Sequence, residues 1–311
     1  MPRERLWADP NPTVRSDTLR AVIVAGQRLV VPRAQAGLYI VATPIGHMDD
    51  ISLRALKVLA GVDLIACEDT RVTGKLLERY GIDAILTPYH EHNAAEQRPK
   101  LLARLAEGAA LALVSDAGTP LVSDPGYRLV QEAAAAARPV VPVPGPSAAL
   151  AALVVAGLPT DRFFFEGFLP PKTAGRRERL DALKRVPASL VLFETGPRLA
   201  ESLADMADVL GDRPAAICRE LTKLHETVTR GPLGSLAESF AGTEPKGEIV
   251  VVVGPPPAEA RASASDMEEA LANALARLSV KDAAAEVAAS LGLPKREVYA
   301  RALDLRAKGG R

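Results

Sequence analysis

The stretch "LALVSDAGTPLVSDPG", residues 111–126, decides how the rest of the chain is read. An apolar run at 111–114 breaks abruptly into Ser115-Asp116-Ala117-Gly118-Thr119-Pro120. A buried parallel strand delivers a loop to a ligand crevice in this way. The loop carries two aspartates, Asp116 and Asp124, and no lysine or arginine before Arg128, while Pro120 and Pro125 remove two backbone donors. A phosphate cradle needs amide donors and a cation. This loop instead offers carboxylates, which favour a ligand with hydroxyls, an amine or a positive centre.

Outward from that loop, the apolar runs LYIVA (38–42), VDLIA (62–66), LALVS (111–115) and PVVPV (139–143) alternate with helix-like stretches at 52–60, 70–80, 94–107 and 125–137. The alternation predicts a parallel α/β sheet covered on both faces. Ser147 then caps an alanine-rich helix, and GLPTDRF (157–163) has the turn chemistry of a domain boundary, so the first α/β domain is read as residues 37–157. RFFFEGF, ASLVLFE, AAICREL and GEIVVVVG read as strands of a second α/β domain, 158–257, which ends in the linker-like run Pro255-Pro256-Pro257. Residues 1–36 form an N-terminal extension in which LRAVIVAGQRLVVP either closes into a two-stranded ribbon around Gly26-Gln27 or stays irregular. The tail, 264–308, reads as helical. Within it Ser279 can cap one helix, Gly292 can end it and Pro294 can begin the next, a spacing that resembles a helix-turn-helix. Such a tail is either a nucleic-acid reader or a small packing cap.

Charge is balanced, 38 basic against 38 acidic residues in 311, so any charged partner must be read from local clustering. Cys67 and Cys218 are too few and too far apart for a disulfide framework and have no partners at zinc-ligand spacing, which suits a reducing cytoplasm. The longest apolar segment, near 148–158, falls short of the roughly 18 residues that span a bilayer, and MPRERLWADPNP lacks the apolar core of a secretory signal. The expectation is a soluble cytoplasmic protein.

Four loops gather the unusual residues. They are Thr43-Pro44-Ile45-Gly46, Cys67-Glu68-Asp69-Thr70-Arg71, the opening loop, and Pro144-Gly145-Pro146-Ser147. In open α/β sheets ligands collect outside the carboxyl ends of the strands, so these loops are expected to line one crevice. None matches a dinucleotide or P-loop fingerprint. S-adenosylmethionine has hydroxyls, an amine and a positive sulfonium, and its carboxylate can use the amide donors at the helix start near Ser147 and Ala148. Against this stands the plain alternative that Gly, Pro and Asp gather in tight turns for conformational reasons alone.

The residues GLYIVATPIGHMDDISLRAL, CEDTR, SDAGTPLVSDPG, PVPGPSAALAAL, GFLPPK and RELTKLHETVTRG, in that order from about Gly37 to Pro255, closely resemble the tetrapyrrole-methylase superfamily, in particular its branch of bacterial small-subunit rRNA cytidine 2′-O-methyltransferases. The resemblance implies two α/β domains with S-adenosylmethionine in the cleft between them, a homodimer, and cofactor contacts from Pro44, Ile45, Asp116, Gly118, Thr119, Ser147, Ala148 and Phe168. Three positions depart from the pattern: His47 after TPIG, the segment ETGPR (194–198), and His225 before Glu226. All three bear on the rim of the substrate cleft rather than on the cofactor loop.

The remaining candidates are weighed on their own residues. YHEHN (89–93) would put His90 and His92 on one face of a strand, as metal ligands or as polar groups facing RNA; with no further His or Cys nearby, no metal is expected. Glu68, Asp69 and Arg71 make either a charged crevice wall or a satisfied ion-pair network. Between residues 172 and 185 lie Lys172, Arg176, Arg177, Arg179, Lys184 and Arg185, a solvated helix face or, beside GFLPPK, a surface for a polyanion; Lys172, Arg176, Arg177 and Arg179 are the candidate RNA contacts. The reaction so implied is an in-line displacement at a sulfonium methyl by a ribose 2′-oxygen, in which the protein aligns the groups and excludes water. A base can assist late, with Glu68, Asp69 and Glu220 as candidates. The rival readings are a tetrapyrrole C-methyltransferase of the same superfamily and a nucleic-acid-binding regulator that senses S-adenosylmethionine. The substrate partner is small-subunit ribosomal RNA, free or in the assembled subunit.

Overall fold

The computed structural model describes residues 20–122, 126–257, 264–291 and 295–309. Asp124 and Pro125 of the opening loop, and Gly292 and Pro294 of the tail, lie outside them. The chain divides into two compact units, 1–254 and 255–311.

The larger unit begins with the ribbon, β1 (Arg20–Val24) paired antiparallel with β2 (Gln27–Val31). Its two-residue turn uses Ala25 at φ +50° and Gly26 at φ +78°, the left-handed pair whose twist suits a tight hairpin. The turn therefore sits at Ala25-Gly26, one residue before the expected centre.

Next comes the parallel sheet, built from β3 (Gly37–Val41), β4 (Leu64–Cys67), β5 (Leu86–Pro88), β6 (Ala110–Val114) and β7 (Val140–Val143). The strands lie in the order β5-β4-β6-β3-β7, all parallel. Connecting them are α1 (Leu53–Gly61), α2 (Thr70–Arg79), α3 (Ala94–Ala106) and α4 (Tyr127–Ala135), close to the four expected stretches. Their starts follow local chemistry: the Ser52 hydroxyl accepts from Ala55 N–H at 3.0 Å and the Asp69 carboxylate from Arg71 N–H at 2.8 Å, each satisfying a helix-end donor. Every residue of β4 and β6 is buried, which is why both read as unbroken apolar runs.

The second sheet has the order β11-β10-β12-β9-β8, from β8 (Phe163–Phe168), β9 (Ser189–Thr195), β10 (Pro214–Arg219), β11 (Thr227–Pro232) and β12 (Glu248–Val253). Only β8 and β9 run parallel; the other neighbours are antiparallel. α6 (Thr173–Leu183), α7 (Gly196–Leu210) and α8 (Leu233–Phe240) bury Leu180, Leu199, Leu203, Met206 and Leu233 against one face. The other face is covered by α5 (Ala148–Val155), whose Ala149, Ala152 and Leu153 pack with Val191, Ala216, Val250 and Val252. Ile45, from the loop after β3, joins that same cluster. By packing, then, α5 belongs with the second sheet, and the chain changes partners near Ser147 rather than at the 157–163 turn. One side of α5, Ala149, Ala152 and Leu153, is buried on the second sheet, while Leu150 and Val154 on its other side are exposed.

The smaller unit holds α9 (Ala264–Leu275), α10 (Val280–Leu291) and α11 (Lys295–Gly309) around Leu271, Ala274, Ala283, Ala284, Val287, Val298 and Ala302. Ser279 caps α10, its hydroxyl accepting from Asp282 N–H at 3.2 Å.

Candidate functional site: a cleft between the two sheets

The loops after β3 and β6 are locked to each other before they meet any ligand. Thr43 N–H donates to Gly118 C=O at 2.9 Å and Gly118 N–H returns to Thr43 C=O at 3.0 Å, an isolated bridge beyond the strand ends. The Thr43 hydroxyl adds a bond to Ser115 C=O at 3.2 Å, and the Thr119 hydroxyl one to Pro146 C=O at 3.1 Å. Gly118 stands at φ +79°, a backbone that side chains resist, and this lets the loop turn back over Ile45. Three of the four expected loops are thereby tied together.

Two cavities open there. One, of about 230 Å³, is lined by Ile45, Gly118, Thr119, Ser147, Ala148 and Phe168 together with Phe193, Glu194, Thr195, Gly247 and Glu248 of the second sheet. The other, of about 210 Å³, is lined by Thr43, Pro44, Ile45, Gly46, Asp116 and Lys223 among others. They share Ile45, Ala117 and Glu248, so they are two lobes of one cleft. All eight residues expected to hold the cofactor line one lobe or the other. Glu194 and Thr195, from the ETGPR segment expected at the rim, line the second wall, and the expectation missed the rest of it: Phe193 at the end of β9, Gly247 and Glu248 at the start of β12, and Lys223. A lone Glu before one isoleucine and four valines in GEIVVVVG was the available signal, since a charge at the mouth of a buried strand has to face something polar.

The three candidate bases sit beside the cleft and do not line either lobe. Glu68 is half-buried, and burial, reinforced by the charge of Asp116, pushes its pKa up. Asp69 has both carboxylate oxygens on the Arg71 guanidinium, at 2.6–3.2 Å, which holds its pKa down at about 2. Glu220 accepts from Lys223 Nζ at 2.8 Å and from Glu248 N–H at 3.0 Å, and Lys223 holds it below the usual carboxylate range. Asp69 and Glu220 are therefore weak proton acceptors, whereas Glu68 has the stronger affinity for a proton. Asp116 receives Asp69 N–H at 3.0 Å on one oxygen, and burial raises its pKa despite that bond. Glu68, Asp69 and Arg71 thus divide between the two readings, with Asp69 and Arg71 forming a satisfied pair.

The basic segment requires a correction. Arg176 is 1 % exposed and its Nε donates to Asp205 at 2.6 Å, so its guanidinium is inside α6–α7 packing and out of reach of a phosphate. Arg177 binds Asp205 and Asp208 at 2.9 and 3.0 Å, and Arg179 makes a bidentate pair with Glu166 at 2.6 and 2.7 Å. Lys172, at the start of α6, is exposed. The sequence showed the arginines without the carboxylates that face them from α7 and β8. Likewise His90 and His92 stand on the turn before α3, not on a strand, with ring centroids 6.0 Å apart. Among the described residues there is no group of three or more His, Cys, Asp or Glu placed to hold a metal, and no helix is long and apolar enough to cross a membrane.

This architecture, two unlike sheets with a cleft built from the carboxyl-end loops of the parallel one, matches known proteins. Residues 37–237 match the model of the tetrapyrrole (corrin/porphyrin) methylases, and residues 261–306 match that of the RsmI C-terminal HTH domain. The chain belongs to the tetrapyrrole methylase family. It is similar to the ribosomal RNA small subunit methyltransferase I of Mesorhizobium japonicum, 54 % identical over 279 residues, covering 89 % of this chain and 94 % of the relative. The protein of the same name from Escherichia coli is 48 % identical over 274 residues, 87 % of this chain and 96 % of that one. Among solved structures, a uroporphyrin-III C-methyltransferase from Thermus thermophilus in complex with S-adenosylhomocysteine superposes with a TM-score of 0.50 at 21 % identity, over 70 % of this chain and 97 % of that one. That likeness supports the fold.

Proposed function

We propose that this protein transfers a methyl group from S-adenosylmethionine to the 2′-oxygen of a cytidine ribose in small-subunit ribosomal RNA. The observation that carries the reading is the convergence of Pro44, Ile45, Asp116, Gly118, Thr119, Ser147, Ala148 and Phe168 on one cleft, in a chain that spans nearly the whole length of relatives named for that substrate. The cleft suits the cofactor chemically. Ile45 and Phe168 offer apolar surface for an adenine, Asp116 a carboxylate for hydroxyls or a positive centre, and the start of α5 at Ser147 and Ala148 amide donors for a carboxylate. When bound, S-adenosylmethionine supplies a methyl group activated by a positive sulfur.

The chain's own work is then to bind, align and exclude water. The Thr43–Gly118 bridge links the cofactor loops, and Ile45 and α5 tie them to the second sheet. Glu68, which burial leaves with a raised proton affinity, is the favoured of the three candidate bases. RNA is held by exposed Lys172, with Arg177 and Arg179 adding charge at the edge of α6, and by the helical tail. The protein acts in the cytoplasm as a homodimer, which sedimentation measures directly.

The deciding experiment incubates the protein with labelled S-adenosylmethionine and either naked small-subunit RNA or assembled subunits, then digests the RNA to nucleosides. Label in 2′-O-methylcytidine supports the reading. No label in RNA while the cofactor binds favours the rivals, and a parallel incubation with a tetrapyrrole separates them: label there favours the C-methyltransferase, none the sensing regulator. A second measurement tests the tail: a chain ending at Gly254 should bind S-adenosylmethionine as the whole chain does and RNA more weakly.

A further inference from the structure

The segment between β10 and β11, Glu220 to Glu226, is held in an uncommon conformation. Glu220 and Thr222, neither of them glycine, stand at φ +52° and +64°. Such backbone persists only where neighbours enforce it, and it gathers at functional sites. Here the neighbours are explicit. Glu220 N–H donates to Glu248 C=O at 2.9 Å, Thr222 N–H to the Glu226 carboxylate at 2.6 Å, and from the loop after β3 His47 N–H donates to the Thr222 hydroxyl at 3.0 Å. Gly46 lies so close that a Cβ there would fall 2.5 Å from Lys223 Cγ.

This packing places the Lys223 ammonium in the cleft, 2.8 Å from Glu220 Oε1 and 2.9 Å from Glu248 Oε2. Lys223 is the only lysine or arginine among the described residues lining either lobe, and Glu248 lines both. An ammonium has three N–H donors and a carboxylate about four acceptor positions, so both groups retain capacity after pairing. Burial pulls the Lys223 pKa down, but Glu220 and Glu248 outweigh it and hold the group above its usual value, a permanent donor. Two carboxylates, Glu220 and Glu248, on one cation disfavour a phosphate. A neutral hydroxyl fits, because it takes a hydrogen bond from the ammonium and gives one to the carboxylate.

We propose that Lys223 and Glu248 form the donor–acceptor pair that recognises the accepting ribose 2′-hydroxyl, so that this cleft selects a ribonucleotide over its 2′-deoxy counterpart. The inference rests on the reading of the cleft as a ribose 2′-O-methyltransferase site. It makes Lys223 and Glu248 specificity-determining residues, with Glu220 and the Thr222–His47 bond as positioning groups.

The test compares small-subunit RNA with the methylated nucleotide, first mapped with the wild type, present either as ribose or as a single 2′-deoxy substitution. Affinity for each RNA is measured with S-adenosylhomocysteine bound. The wild type should prefer ribose by about tenfold or more, the worth of a hydrogen bond to a charged group. Lys223→Met, which removes the donor, and Glu248→Gln, which turns a charged acceptor into a weaker neutral one, should each bring the two RNAs to within about twofold, with S-adenosylhomocysteine affinity unchanged. Glu248→Gln keeps the shape of a largely exposed side chain, so it reports even if Lys223→Met unfolds. A wild type indifferent to the 2′-hydroxyl, or variants that keep the full preference, overturns the proposal although rRNA methylation stands. Failure of the wild type to methylate rRNA at all removes the parent reading instead.

Discussion

The α6–α7 face and the cleft both concentrate charge, and they dispose of it in opposite ways. On α6–α7 each arginine meets a carboxylate with good geometry: Arg176 and Arg177 share Asp205, and Arg179 grips Glu166. In the cleft the carboxylates Asp116 and Glu248 stand with one ammonium, that of Lys223. Glu194, deeper in the same wall, is matched: it pairs with Arg198 at 3.3 Å and accepts from Ser202 Oγ at 2.5 Å and Thr195 N–H at 2.8 Å, which leaves Asp116 and Glu248 as the carboxylates with spare capacity. Matched charge holds a structure together; unmatched charge at the mouth of a cavity is capacity for a ligand.

The largest expected effect lies on the matched side. Arg176→Ala leaves Asp205 in a nearly closed site with only Arg177, and should cost about 3 kcal/mol of stability, as does breaking other buried pairs. Urea denaturation reads this as a lower midpoint at an unchanged slope. A loss of only a few tenths would mean that the pair behaves like a surface bridge, and the contrast drawn here would fail.

On the unmatched side, Asp116→Ala should weaken S-adenosylmethionine binding by about 1–3 kcal/mol, the cost of a lost polar partner, with the denaturation midpoint preserved. Calorimetry showing an unchanged dissociation constant removes Asp116 from the site. The same carboxyl sets a pH dependence. Its pKa is raised in the fold, so on acidification it takes up a proton earlier than an ordinary aspartate. Cofactor affinity should therefore be full near neutrality and fall as pH drops toward about 4, the ordinary carboxylate range. In Asp116→Asn that slope should flatten. The pH dependence of stability has the opposite cause at Asp69: its pKa is lowered to about 2, so the stabilisation it shares with Arg71 is present above the ordinary value and is lost only as pH falls toward 2.

The smallest effect distinguishes free from paired cations at the edge of α6. Lys172→Gln should reduce the slope of log RNA affinity against log salt by about 0.7, one phosphate contact on a single strand. Arg177→Gln with Arg179→Gln should change that slope less per charge removed, because both guanidinium groups already neutralise carboxylates. Equal slopes per charge would show that RNA draws these arginines away from their partners.

Much of this was legible in the amino-acid sequence because its causes are local. Buried parallel strands write themselves as unbroken apolar runs, so β3, β4, β6 and β7 were found at their places, and capping residues such as Ser147 and Ser279 marked helix starts. The loops after β3, β6 and β7 announced a crevice because Gly, Pro and Asp break an apolar strand only at some conformational or chemical cost. β5, three residues long, and β11, mostly exposed, carried too little apolar pattern to be seen.

Tertiary structure decided everything that depends on what faces what. Whether Arg176 meets RNA or Asp205, whether α5 belongs to the first sheet or, through Ala152, covers the second, and whether Lys223 lines a cleft are questions about partners 29, 98 and 25 residues away in the chain, respectively Asp205, Val250 and Glu248. No local propensity encodes such a pairing. Charge and apolarity state that a side chain needs a partner; only the folded chain, by setting α5 and Ile45 on the second sheet, determines which partner it gets.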